Sequence, residues 1–155
     1  MWYDKLMKYT TWCAAAILCV AIILHGCAHG PRPPRGVKPV ARTMEVTGYC
    51  KCGECCGWTR NWRFKPVIAS GPNQGKRKKV GITASGTKAK IGTIAADTNY
   101  YPFGTILHIP GYGYGRVEDR GGAIKGPNRI DLYFNSHKAA KKWGRQNKTV
   151  QIWKR

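Results

Sequence analysis

From Ile91 to the end of the chain, no apolar stretch runs more than a few residues before a Gly, Pro or Asn interrupts it. The runs are IGTIAAD (Ile91 to Asp97), TILHIP (Thr105 to Pro110), YGRVED (Tyr114 to Asp119), RIDLYF (Arg129 to Phe134) and TVQIW (Thr149 to Trp153). A sixth, TMEVTGY (Thr43 to Tyr49), precedes them and alternates apolar with polar. Such lengths suit strands and are too short for helices that bury a face. One stretch escapes the rule: HKAAKKWG has Ser136 placed to cap it and Gly144 to stop it, which predicts one short helix. A mainly β fold of short strands must hide its edges, so the expectation is a small closed barrel beginning near residue 41 and running to 155. Residues 59–80, with the basic tip GPNQGKRKK (Gly71 to Lys79), read as an irregular insertion.

The N-terminus is of another kind. Lys5 and Lys8 precede a nearly unbroken apolar run, Thr10 to Leu24, and Leu24-His25-Gly26-Cys27 resembles a lipobox whose cysteine takes the lipid. The readings are a lipoprotein signal with Cys27 as the attachment point, or an uncleaved anchor over residues 1–27; the run falls short of the roughly 20 residues that span a bilayer. Residues 28–40, rich in proline and arginine, read as an extended tether. Either reading exports the domain to the cell envelope, with the membrane as one partner.

The chain has 27 Lys and Arg against 7 Asp and Glu, a formal charge of +20. Lys5, Lys8 and Asp4 are the only charges before Cys27, so the surplus belongs to the exported part. A cationic surface seeks a polyanion. Export removes nucleic acid from the field and leaves lipid headgroups and wall polymers.

Against that background the acids are informative. Glu118, Asp119 and Asp131 fall within VEDRGGAIKGPNRIDLYF, and Asp97 lies just upstream. Asp97, Asp119 and Asp131 each adjoin apolar strand residues, where propensity disfavours Asp. The alternative, pairing with Arg116, Arg120, Lys125 or Arg129, is open to each one separately. Carboxylates gathered in a cleft raise one another's pKa, and one kept protonated can act as a general acid toward a glycosidic oxygen. Gly121, Gly122 and Gly126 would let a bulky polymer approach the backbone. Lys125 is a candidate substrate contact. Tyr49, Tyr100, Tyr112, Tyr133 and Trp58 are candidate sugar platforms, or core.

Of the seven cysteines, Cys50, Cys52, Cys55 and Cys56 form a CxCxxCC cluster. Spacing leaves disulfides, a zinc site and free thiols all open. No histidine stands out as a partner for cysteine catalysis; His108 and His137 read as structural or exposed. No cofactor is called for, and no metal is assigned to the acidic site.

The sequence from Ile82 to Trp153, through AAD, PFGT, GYGYGRVEDRGGAIKG and RIDLYF, resembles the 3D domain, a family named for three aspartates; VTGYCKCGECCGW upstream fits it too. The family is similar to the catalytic barrel of membrane-bound lytic transglycosylase A. The resemblance implies a six-stranded double-psi β-barrel and non-hydrolytic cleavage of peptidoglycan glycan strands, leaving 1,6-anhydro ends. It implies Asp131 as general acid, with Asp119 and Asp97 completing the catalytic set; Lys125, Gly121, Gly122 and Tyr133 are the substrate contacts expected around them. It also admits the contrary expectation of an expansin-like module that binds polysaccharide without cutting it. Arg120 stands where the family more often has a smaller residue, and it is expected to point out of the site.

Overall fold

The computed structural model describes residues 30–154; the expected signal or anchor, and Cys27 with it, lie outside the described residues. Eight strands are present: β1 (Val40–Tyr49), β2 (Trp58–Arg60), β3 (Pro66–Ile68), β4 (Thr93–Ala96), β5 (Ile106–Ile109), β6 (Gly113–Asp119), β7 (Arg129–Tyr133) and β8 (Gln146–Trp153). Two helices accompany them, a four-residue turn α1 (Gly53–Cys56) and α2 (His137–Trp143).

Six of the strands close into a barrel in the order β1-β7-β4-β6-β5-β8. Two neighbouring pairs are parallel, β1 with β7 and β4 with β6, and the others are antiparallel. Closure leaves the barrel without an open edge, as the short strands required. Its interior is filled by Val46, Ile94, Leu107, Ile109, Val117, Ile130, Leu132 and Val150, all fully buried. Each such side chain contributes about 1.5–3 kcal/mol relative to exposure.

The strands extend beyond their apolar signals where the ladder alone holds them. Val40 to Arg42 are exposed yet pair with Val150 to Ile152, and β8 starts at polar Gln146 for the same reason. The expected helix forms with the expected ends: Ser136 Oγ accepts from the Ala139 amide at 3.2 Å, and Gly144 takes a positive φ of 68°. It lies against β1 at Gly48, where a Cβ would meet Phe134 Cε2 at 2.9 Å and the Ala140 carbonyl at 3.1 Å. Only glycine allows that approach.

The insertion is more ordered than expected. β2 and β3 form their own two-stranded sheet, and a bridge between Val67 and Arg77 lays the basic tip alongside. The turn is built by Asn61, whose Oδ1 accepts from the Arg63 and Lys65 amides at 3.0 Å each. A side chain imitating backbone in this way carries no apolar period, so the pattern misses it. Ahead of β1, the Val37 carbonyl accepts from the Trp153 indole at 3.0 Å.

Candidate active site

Inward residues of the barrel alternate with outward ones, and the outward row is where the chemistry lies. Thr47 on β1 sits in register with Asp131 on β7, and Asp131 with Ala95 on β4. Ala95 is in turn in register with Asp119 on β6. Neighbours in register share a face, so Thr47, Asp131, Ala95 and Asp119 form a row across four strands. The methyl of Ala95 is the only side chain between the two carboxylates along it.

Strict alternation would not put Asp119 there. Val117 faces inward, so Asp119 should too. The β4–β6 register shifts between Ile94 and Ala95, pairing Ile94 with Val117 but Ala95 with Asp119. A bulge re-aims the strand in this way. The skipped Glu118 takes a hydrogen bond from Thr93 Oγ1 at 2.8 Å.

Asp131, Ala95 and Asp119 of this row floor a cleft of about 260 Å³. Tyr49, Tyr133 and Ala95 make a small apolar cluster on the floor, and Cys55, Cys56 and Ala89 pack on it. Gly121 and Gly122 form a lip, and Lys51, Lys78 and Lys79 also line the cleft. The basic tip of the insertion thus supplies cations to the site.

Asp131 is half-buried in this floor. Desolvation is the main cause that raises its carboxyl to about 6, with the charge of Asp119 adding to it; the Thr47 hydroxyl, donating to Oδ1 at 2.8 Å, and the Leu132 amide act in the opposite sense. Asp119 is more fully engaged. Its Oδ2 accepts from the Tyr49 hydroxyl at 3.0 Å, and its Oδ1 from the Ala84 amide at 3.0 Å and its neighbour Arg120 at 2.9 Å. Burial and the adjacent carboxylates push the Tyr49 phenol far up, so it stays a proton donor.

Asp97 is not in the cleft. It follows β4 and accepts from the Asn99 amide at 3.1 Å and the Gly126 amide at 2.9 Å. Those two amides hold its carboxyl below the ordinary range. Gly126 has a φ of 79°, and Asp97 fixes the turn there, at the base of the loop that carries Gly121 and Gly122. Lys125 is exposed beside Asp97, away from the cleft lining. The Arg120 guanidinium lies over the Phe103 ring, 5.6 Å from its centre, although the residue borders the cleft.

Of the candidate platforms, Tyr49 and Tyr133 reach the cleft. They are only 7% and 3% exposed and packed edge to face at 5.5 Å, so little of either ring is free to stack on a sugar. Tyr112 is a strut, accepting from the Gly92 amide at 2.9 Å and donating to the Tyr133 carbonyl at 2.8 Å. Trp58 donates to the Lys51 carbonyl at 3.0 Å, and Tyr100 stands exposed elsewhere. Sequence reasoning passed over Thr47, Lys51, Lys78 and Lys79. For the last two the charge run was the signal, but nothing local shows that it folds back onto the barrel.

Among the described residues no cysteine is in a disulfide: Cys50, Cys52, Cys55 and Cys56 are free thiols. Cys50, Cys52 and Cys55 meet His137 beside the cleft, at the junction of β1, α1 and α2.

The family model of the 3D domain matches residues 92–154. YabE of Bacillus subtilis, named as a candidate cell wall shaping protein, is 45% identical over 76 residues, covering 46% of this chain and 18% of YabE. YocH of the same organism, named a cell wall-binding protein, is 38% identical over 78 residues, covering 46% of this chain and 26% of YocH. The chain therefore spans about a fifth to a quarter of these relatives. The crystal structure of MltA from Escherichia coli, a lytic transglycosylase, superimposes with a TM-score of 0.40 at 23% identity, over 50% of this chain and 29% of that one.

Proposed function

We propose that this chain, which the 3D-domain family model matches over residues 92–154, binds the glycan strands of bacterial peptidoglycan in the lysine-lined cleft and cleaves them as a lytic transglycosylase. The observation that carries this reading is Asp131: an acid lifted to about 6 on the floor of an open, cationic cleft. Such a group is still partly protonated near neutrality and can give its proton to a glycosidic oxygen. The names of the two relatives support the choice of polymer.

In this mechanism the Asp131 carboxyl protonates the oxygen between N-acetylmuramic acid and N-acetylglucosamine, and that bond breaks with the glucosamine leaving as its alcohol. The muramic C6 hydroxyl attacks C1 of its own ring, and its proton returns to the Asp131 carboxylate. No water is consumed. The nucleophile is tethered, so proximity supplies much of the rate. One carboxyl suffices, which suits a site where the oxygens of Asp119 are already taken by Tyr49, Ala84 and Arg120. Asp119 then holds Tyr49 and the Ala84 loop as walls and sustains the raised pKa of Asp131. Asp97 shapes the Gly121-Gly122 lip at a distance. The apolar N-terminus, through Cys27 or as an anchor, would keep the domain in the envelope near its polymer.

A second reading has its own support. YocH is named for wall binding; an expansin-like module would keep the cationic cleft and need no acid. Mass spectrometry of the material released from peptidoglycan sacculi, by wild type and by Asp131→Asn, separates them. The transglycosylase yields 1,6-anhydro muropeptides with wild type and none with the variant. Reducing ends would mean a hydrolase. No release, with both proteins pelleting on sacculi, would favour the binding module.

A further inference from the structure

The cysteine cluster is not used by the chemistry above, yet its geometry is specific. Cys50 ends the segment after β1, Cys52 caps α1, Cys55 lies within it and His137 opens α2, more than 80 residues later. Their donor atoms all lie within 4.8 Å of one another. Cys50 Sγ is 3.8 Å from Cys55 Sγ, and His137 Nδ1 is 3.5 Å from Cys52 Sγ and 3.4 Å from Cys55 Sγ. Ligands placed about 2.3 Å (sulfur) and 2.0 Å (nitrogen) from a tetrahedral zinc ion are separated by about 3.5–3.8 Å.

Two further contacts favour metal over other fates of the thiols. The Cys52 amide points at Cys50 Sγ and the Cys55 amide at Cys52 Sγ, each at 3.4 Å, which suits sulfur carrying negative charge. The far nitrogen of His137, Nε2, lies 3.2 Å from Glu54 Oε2, close enough for a charge contact though not aligned as a hydrogen bond. A negative charge on that side favours the proton on Nε2, which leaves the lone pair of Nδ1 toward the sulfurs. Cys56 is turned away, with Sγ 3.1 Å from the Cys50 carbonyl. The adjacent Cys55-Cys56 pair therefore poses no obstacle, since one member suffices.

We propose that Cys50, Cys52, Cys55 and His137 bind one zinc ion through three thiolates and Nδ1. Three soft sulfurs and an imidazole select zinc among common divalent ions. Four protein ligands leave no open position, so the role is structural. The ion joins the β1–α1 segment to α2 and so fixes the wall of the cleft that Tyr49, Lys51, Cys55 and Cys56 contribute. The proposal is independent of whether the cleft cuts or only binds.

The test is metal analysis of the full chain, purified in mild detergent without a metal-affinity tag. One zinc per chain is expected. Cys56→Ser should retain it. His137→Ala and Cys52→Ser should lose it; should either fail to fold, cobalt replacement in wild type gives the second readout, with a thiolate-to-cobalt charge-transfer band and tetrahedral ligand-field bands expected. Substoichiometric metal, together with non-reducing peptide maps that join any two of Cys50, Cys52 and Cys55 by disulfide, would overturn the proposal. So would a cobalt spectrum without thiolate charge transfer, or Cys56→Ser losing the metal as completely as Cys52→Ser.

Discussion

Asp97, just past the end of β4, and Asp131, on the neighbouring β7, belong to one barrel, and the fold drives their carboxyls in opposite directions. Asp97 lies at the exit of β4, partly exposed, with two backbone amides aimed at it, and its pKa falls. Asp131 lies mid-strand on a floor covered by the insertion, with one hydroxyl donor and a second carboxylate nearby, and its pKa rises to about 6. Residue type and local sequence are the same kind in both, IAAD against RIDLY. What differs is first burial and then the number of amides that reach the side chain. At the strand end two amides outweigh a small desolvation; within the paired strand desolvation outweighs the Thr47 hydroxyl and the single Leu132 amide. The same chemistry thus yields a fastener at one place and a candidate acid at the other.

Asp131→Asn should break the contrast most visibly. Loss of a general acid costs about 10²–10⁴ in rate, so anhydro-muropeptide release should fall by that factor. Stability should move the other way. The folded pKa of Asp131 stands above its unfolded value, so the native state binds the proton more tightly. Its contribution is most favourable below pH 4 and is lost as pH rises through about 6. The asparagine keeps the acceptor for Thr47 without the charge, and should stabilise the protein at pH 7 by up to about 3 kcal/mol. Thermal melts at pH 7 and pH 4 check this: the gain should vanish at the lower pH. A variant less stable than wild type at both would mean that Asp131 is a structural ion.

Asp97→Asn should do less and with the opposite sign. Its folded pKa is depressed, so its contribution is present above the unfolded pKa and lost as pH falls through the folded one. The variant should lower Tm at pH 7 and converge with wild type in acid. Activity should drop modestly, through a looser Gly121-Gly122 lip, with the midpoint of its pH profile unchanged. A pH profile that moved with Asp97 would place this residue in the chemistry after all.

The comparison also shows what sequence could and could not reveal. The six barrel strands and α2 with both caps were legible because their signals are local: alternation, glycine, a serine three residues before an amide. That Asp119 shares a face with Asp131 was not, because it depends on a bulge in the pairing of β4 with β6. Strict alternation from Val117 would have buried it inside the barrel. Asp97 looked equivalent to the other two because apolar neighbours are all that local sequence displays. Lys78 and Lys79 looked like a solvated tip, and only the bridge from Val67 to Arg77 turns them toward the cleft. His137 joins Cys50, Cys52 and Cys55 across the closure of the barrel, a distance along the chain over which spacing carries no information.

The finest test of the contrast leaves both aspartates in place. Thr47 gives Asp131 its one side-chain hydrogen bond, at 2.8 Å to Oδ1, and its hydroxyl also lies 3.4 Å from the Ile130 carbonyl. Thr47→Val removes the hydroxyl at nearly constant shape. A donor to a carboxylate stabilises the charged form, so its loss should raise the pKa of Asp131 further, by about one unit. Activity that needs a protonated acid declines as pH rises through that pKa. In wild type the decline should centre near 6; in the variant it should move toward neutrality, with the acid-side plateau little changed. A purely structural role for Thr47 would lower the whole profile without moving its midpoint. The direction of the shift therefore tells whether the row Thr47-Asp131-Ala95-Asp119 tunes a proton or only packs a wall.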